Sequence, residues 1–285
     1  MRGFVTSAGL QLRVAKRLAP RRGAPLRERV GRLDDRFVFV IGSPRSGTTF
    51  LASAIGSVPG FVDLGEVAPV KAAVPELVGL PPNEAARRLR RILRIARRVG
   101  LVGSVRSVEQ TPEIAYLVDA ARLAFPEAQF VHIVRDGRDV VCSLLQRGWL
   151  RQASNGRDDA GLPYGSYARF WVEPTRREEF ARAGDARRAA WAWRRYVTSA
   201  RNAGTNTLEV RYERMVAEPD VVAAEVAGYL RAPVPDLAQA LRDAHAGSVG
   251  RFRRELSDAD LADVTAEAGE LLDELGYLTP ATSVQ

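Results

Sequence analysis

Arg45 sits among small residues in Gly-Ser-Pro-Arg-Ser-Gly-Thr-Thr, residues 42–49. That mixture lets the backbone close on an anion while one guanidinium and two hydroxyls complete its coordination. A β-branched and aromatic run, Phe37 to Ile41, precedes it and reads as a buried strand, and a helix is expected from about Thr48 to Ser57. Strand, glycine-bounded loop and helix N-terminus form an anion cradle, because converging N–H groups and the helix dipole favour negative charge. The Gly42-to-Gly47 spacing matches the phosphate-binding G-x-x-x-x-G-K-[ST] loop, but Thr48 stands where that loop carries lysine. Two further positions carry compatible chemistry. Gly65-Glu66 follows a short strand candidate, Phe61–Leu64, and Arg135 ends a strong strand, Gln129–Val134, with Ser143 eight residues on. If a helix starts near Gly137, Asp139 and Ser143 share a face of it, and Arg135 with Ser143 can meet a second phosphate.

Elements that place these groups alternate along the chain. Helices are expected from Pro69 to about Leu77, over 83–99, from Thr111-Pro112 through Ala124 with Thr111 as cap, and from Gly137 through Gln146. Asp185–Ala203 is helical, Thr207–Arg211 is a strand, and Met215–Leu230, Pro235–Ala246 and Asp258–Leu275 are helices, the last capped by Ser257. Strands alternating with helices indicate an α/β fold: a three-layer α/β/α, P-loop-like arrangement around a central, mostly parallel sheet. Ligands of such sheets bind beyond the carboxyl ends of the strands, which gathers the loop, Glu66 and Arg135 in one crevice. Residues 1–35 read as a basic arm and 36–285 as one domain, with a loop-rich, aromatic insertion at about 148–184 that suits a lid or acceptor wall.

Composition narrows the classes. The chain has 285 residues and a formal net charge of +8, carried almost wholly by arginine; Lys16 and Lys71 are its two lysines. Arginine's fork suits phosphate and sulfate, although biased genome composition explains the same excess. No recognition motif accompanies the charge, so nucleic acid is not an expected partner. One cysteine and two histidines leave no disulfide pair and little room for a metal site, so the chain reads as intracellular and cytoplasmic. No stretch reaches the roughly 18–20 apolar residues of a membrane span. The arm's Phe4, Val5, Leu10, Leu12, Val14 and Leu18 with Arg13, Lys16 and Arg17 suit either a frayed extension or a peripheral contact with an anionic membrane. On the 83–99 helix, Leu89, Ile92, Leu93, Ala96 and Val99 repeat at helical steps while seven arginines crowd the other faces, a solvated surface or one facing an anion. His132, Cys142 and Trp193 read as core residues.

Gly-Ser-Pro-Arg-Ser-Gly-Thr-Thr-Phe-Leu (42–51), followed by Phe-Pro-Glu-Ala-Gln-Phe-Val-His-Ile-Val-Arg-Asp-Gly-Arg-Asp-Val-Val-Cys-Ser-Leu (125–144), closely resembles the sulfotransferases that use 3′-phosphoadenosine 5′-phosphosulfate (PAPS). The likeness is greatest to the bacterial branch related to protein-tyrosine sulfotransferases. It runs from about Phe37 to Tyr277, includes 208–213 and 247–256, and weakens across 148–184. It implies that Arg45, Ser46, Gly47, Thr48 and Thr49 hold the 5′-phosphosulfate, and that Arg135 and Ser143 hold the 3′-phosphate. By the same likeness Tyr212 and Arg251 are further donor contacts and Glu66 is the general base. PAPS would be the donor, 3′,5′-ADP (PAP) the product, no metal would be needed, and the acceptor would be a small molecule, glycan, lipid or peptide. Many relatives carry lysine where this chain has Gln110, in Glu109-Gln110-Thr111-Pro112, and that lysine would contact the transferring sulfuryl group. Either Gln110 bonds the sulfuryl oxygens less strongly, or Arg45 carries the charge alone, or the protein is a weak enzyme. Lys71, in the helix after Glu66, could swing in toward the site, but the sequence does not place it there. The alternatives are a non-catalytic nucleotide-binding or membrane-associated module and, with less support, a kinase, which needs the lysine missing at position 48.

Overall fold

Alternation within the first strand sets up the layers. In the computed structural model, which describes residues 35–99, 105–150, 172, 174–202, 204 and 206–278, strand β1 (Val38–Ile41) is buried on both faces. Phe37, Phe39 and Ile41 enter one apolar cluster, while Val38 and Val40 enter another on the opposite face. A parallel strand covered on both sides must be apolar in both registers, which explains the unbroken run seen in the sequence.

Helix α1 (Thr48–Ser57) returns the chain to β2 (Phe61–Gly65); α2 (Ala68–Val78) and α3 (Pro82–Val99) lead to β3 (Arg106–Glu109). A 3₁₀ segment, Pro112–Tyr116, and α4 (Val118–Ala124) precede β4 (Gln129–Val134) and α5 (Gly137–Arg147). A 3₁₀ turn, Pro174–Arg176, then α6 (Arg177–Arg182) and α7 (Asp185–Arg201) lead to β5 (Thr207–Arg211). The chain finishes with α8 (Tyr212–Ala217), α9 (Pro219–Leu230), α10 (Val234–Leu241), a 3₁₀ turn at Ala246–Ser248, α11 (Phe252–Glu255) and α12 (Asp258–Glu274). The five strands pair in the order β2-β3-β1-β4-β5, all parallel. Helices α1, α9 and α10 cover one face, and α2 to α5, α7 and α12 the other. From β1 the chain runs toward β2, and from β4 toward β5, so the direction of winding reverses between these two neighbours. Their carboxyl ends, Ile41 and Val134, therefore flank the crevice where ligands of such sheets bind.

Four expectations change. Strand β3 was not anticipated: Arg-Ser-Val-Glu has one apolar residue, yet all four are buried because Arg106 and Glu109 find internal partners. Arg106 donates to Leu230 O at 2.7 Å and Gln129 Oε1 at 2.5 Å, with Phe61 beneath its guanidinium. The helix expected over 111–124 breaks at Leu117, and Thr111 does not cap it, because its hydroxyl oxygen already accepts from Val67 N at 3.0 Å while its proton goes to Glu109. The 3₁₀ geometry turns Glu113 and Tyr116 under α7, where Tyr196 Oη donates to Glu113 Oε1 at 2.9 Å and the Tyr116 and Tyr196 rings lie 4.8 Å apart. The helix expected over 215–230 is two helices, since Pro219 has no N–H and Glu218 before it is held off helical geometry (φ −133°, ψ 56°). The helix expected to reach Ala246 ends at Leu241.

Part of the insertion is helical, at Arg177–Arg182; residues 151–171 and 173, like the arm before Asp35, lie outside the described residues. Ser257 caps α12 as expected, with a reciprocal bond from Asp260. The crowded arginines of α3 meet carboxylates of the protein itself: Arg90 and Arg94 both donate to Asp35, at 2.9 and 2.6 Å, and Arg88 to Glu76 and Glu84. His132 is a core histidine, as expected; its Nδ1 lies 3.3 Å from Glu209 Oε2, while its buried Nε2 has no hydrogen-bond partner. That contact, with Arg201, holds the Glu209 carboxyl down to about 2. Cys142 is core as well, and burial pushes its thiol up to about 12.

Candidate active site

Loop 42–47 leaves β1 hard against β4. At Gly42 (φ 152°) an added Cβ would sit 2.4 Å from Ile133 O, so only glycine allows this approach. Ser46 N donates to Ser43 O at 3.1 Å, closing a turn, and Arg45 at its corner takes a left-handed φ of 71°. A side-chain-bearing residue there is strained by on the order of 1–3 kcal/mol, a cost met at ligand clamps. Gly47 (φ 98°) precedes α1, whose first N–H groups have no intrahelical acceptor and face the loop. Among the described residues, two buried donors in this cradle have no hydrogen-bond partner: Ser46 Oγ and Arg135 Nε. Buried donors left this way call for an acceptor, and an anion supplies one.

The two phosphate sites expected from the sequence share a wall. Arg45 Nε donates to Ser143 Oγ at 2.9 Å, across 98 positions, and Arg135 Nη1 donates to Arg45 O at 3.2 Å. Arg135 is buried, donates also to Ser248 O, and stacks on Tyr212 with its guanidinium 4.8 Å from the ring centre. Tyr212 in turn packs on Gly47, where an added Cβ would lie 2.8 Å from the ring, and its hydroxyl donates to His245 O at 3.1 Å. Asp139 accepts from Gly250 N at 2.7 Å and Phe252 N at 3.0 Å, which ties the 248–252 segment across the start of α5. Arg251 lies in that segment but is forked onto Glu255, at 3.0 and 2.7 Å. His245 contributes its carbonyl, and its side chain is exposed. Trp193 is core, as expected; its Nε1 donates to Arg135 O at 3.1 Å.

On the other side of the loop, Thr49 Oγ1 donates to Gln110 Oε1 at 3.1 Å, joining the helix start to the end of β3. Glu66 lies just beyond β2, with Oε2 2.7 Å from Lys71 Nζ; its side chain is 25 % exposed and that of Lys71 2 %. The residue that sequence reasoning missed here is Glu109, fully buried at the end of β3. Its Oε1 accepts from Thr111 N at 3.0 Å, from the Thr111 hydroxyl and from Val67 N at 3.4 Å, so it clamps the turn after Glu66 to the turn after Gln110. A glutamate before Thr-Pro resembles a charged lead-in to a helix, and only the unseen strand would have shown it to be internal.

Burial pushes the Glu109 carboxyl up to about 8, against the pull of the Thr111 and Val67 bonds, and the Glu66 carboxylate adds to the rise. Between the ordinary carboxyl value and about 8 the unfolded chain sheds this proton while the folded protein keeps it, so stability falls as pH rises through that window. Glu109→Gln removes the proton and keeps the acceptor oxygen. Its stability relative to wild type should therefore be unchanged near pH 4 and grow by on the order of 1.4 kcal/mol per pH unit up to about 8. Urea denaturation at pH 4, 6 and 8 measures this, and a difference independent of pH would rule the assignment out.

A glycine-bounded loop at the winding reversal of a parallel sheet, with two arginines and hydroxyls about it and a carboxylate past strand β2, is an arrangement of an α/β protein that suits an anionic ligand. Comparison with known proteins makes the class specific. The model of the sulfotransferase family matches residues 84–236, more than half of the chain, and the chain belongs to that family. Gln110, Arg135, Ser143 and Tyr212 lie inside the match; the 42–49 loop, Glu66 and Arg251 lie outside it. The sulfotransferase domain of the Synechococcus PCC 7002 olefin synthase superposes with a TM-score of 0.56 at 15% identity, covering 88% of this chain and 98% of that one. The sulfotransferase domain from the curacin biosynthetic pathway gives 0.55 at 15% identity, covering 88% and 100%. At that identity the likeness is one of fold. A search of curated proteins returns no match.

Proposed function

We propose that the protein transfers a sulfuryl group from PAPS to a hydroxyl, or an amine, of an acceptor that is a small molecule, glycan, lipid or peptide. The acceptor oxygen attacks sulfur in line with the bond to the 5′-phosphate. A new O–S bond forms as that S–O bond breaks, the acceptor proton passes to Glu66, and the bonding pair leaves on the phosphate oxygen of 3′,5′-ADP. The N–H groups at the start of α1, with Ser46, Thr48 and Thr49, would grip the phosphosulfate. Arg45 would offset charge building on the leaving oxygen, and Arg135 and Ser143 would take the 3′-phosphate. Tyr212 and Arg251 are assigned to the nucleotide side.

The observation that carries this reading is the junction across the β1–β4 crevice, Arg45 bonded to Ser143 and Arg135 to the Arg45 carbonyl, which would give one ligand with two separated anionic groups a continuous wall. The reading predicts that 3′,5′-ADP at about 100 times its dissociation constant stabilises the fold by about 2.7 kcal/mol, a rise of roughly 5–10 °C in Tm. ATP with magnesium should leave Tm unchanged. Stabilisation by ATP with magnesium and none by 3′,5′-ADP would make the protein a kinase-like nucleotide binder instead. The neutral Gln110, held by Thr49, favours a second reading, a donor-binding module without turnover. Stabilisation by 3′,5′-ADP with no release of it from PAPS distinguishes that case.

A further inference from the structure

Lys71 takes no part in the steps above, yet its placement is unusual. Its side chain is 2 % exposed, in the first turn of α2, where Val70 and Val74 are core and an aliphatic side chain would fill the same space. Removing an ammonium from water costs several kcal/mol after relaxation and is recovered only with a close, well-placed partner. The partner is Glu66 Oε2 at 2.7 Å. The chain otherwise uses arginine: of 42 basic residues, 40 are arginines. A lysine is a compact point charge that fits one carboxylate oxygen, whereas a guanidinium presents a planar fork.

The surroundings give that charge a task. Glu66 is a carboxylate at the rim of a cradle built for a polyanion, and like charges brought together there repel. Opposite it on β3 stand the neutral Gln110 and the buried Glu109, neither of which offsets a negative charge. With Lys71 at 2.7 Å the pair is neutral overall, the ammonium fixes one carboxylate oxygen, and a quarter of the Glu66 side chain remains exposed for a hydroxyl to approach.

We propose that Lys71 is a positioning residue for Glu66: it orients the carboxylate and cancels its repulsion from the anionic donor, so that the base works beside the phosphosulfate. The proposal rests on the reading of Glu66 as the base. It also assigns to α2 a cation beyond the two arginines of the site.

The test is a double-mutant cycle of wild type, Glu66→Gln, Lys71→Met and the double variant, with Lys71→Arg as the conservative replacement. Release of 3′,5′-ADP from PAPS is followed with 2-naphthol and with water as acceptor. Lys71→Met should lose at least tenfold in kcat with stabilisation by 3′,5′-ADP intact, Lys71→Arg should regain most of it, and Lys71→Met should cost less than twofold more once Glu66 is Gln. Losses that multiply in the double variant overturn the proposal, as does full activity of Glu66→Gln. Loss of 3′,5′-ADP stabilisation in wild type would instead overturn the donor reading. A second measurement needs no turnover. With ¹³C-lysine the chain gives two side-chain signals, and Glu66→Gln should shift that of Lys71 and leave that of Lys16 in place. An unmoved Lys71 signal rules the coupling out whatever the acceptor.

Discussion

Glu66→Gln should abolish sulfuryl transfer, lowering kcat by about 10²–10⁴, the usual worth of a positioned general base, while leaving donor-product binding intact. The carboxylate stands just past β2 with Oε2 on Lys71, outside the 42–49 loop to which the phosphosulfate is assigned. 3′,5′-ADP should therefore raise Tm as much in the variant as in wild type. The amide keeps the size and one acceptor oxygen and loses the ability to take a proton. Near-normal turnover with any acceptor that the wild type sulfates would remove Glu66 from the mechanism. Unchanged kcat with a raised KM would make it an acceptor-binding group instead.

Arg45→Gly should show opposite effects on function and fold. Transfer should fall by about 10²–10³, the range seen when one donor to a developing anion is removed from a preorganised site. Folding stability should not fall, because the left-handed φ of 71° that strains arginine is open to glycine. The relief, on the order of 1 kcal/mol, is offset in part by the greater freedom of glycine in the unfolded chain. Steady-state kinetics with PAPS and urea denaturation on the same samples measure both. A variant within tenfold of wild-type activity would show that the loop cation is not needed for the departing charge, and a large drop in stability would show that the Arg45–Ser143 bond holds the fold.

Much of this site was legible in order along the chain, because each part announces itself locally. Phe37 to Ile41 is apolar in both registers, so it had to be covered on both faces. Gly42 and Gly47 bracket a loop that side chains would obstruct, and Thr48 begins a helix that ends at Ser57. Gln129–Val134 and the turn at Asp136, whose carboxylate accepts from Arg138 N, are equally local. Strand β3 was not legible, since a strand of Arg, Ser and Glu looks like surface until its partners are known. Arg106 depends on Leu230 O and Gln129, and Glu109 on Thr111 and Val67, and the two most distant of these are 124 and 42 positions away. The helix expected from Thr111 failed for the same reason, its capping oxygen having been taken by Val67 N, 44 positions away.

By itself the sequence determined the parallel α/β layers, the anion loop and the order of its two arginines, since periodicity and glycine spacing act over a few residues. Only the tertiary structure decided that Arg45 meets Ser143 and that Asp139 ties residues 250 and 252 to α5. Those are contacts between strand ends that lie far apart in the chain. The order of strands in the sheet, β2-β3-β1-β4-β5, sets which ends become neighbours, and no local pattern of residues encodes it.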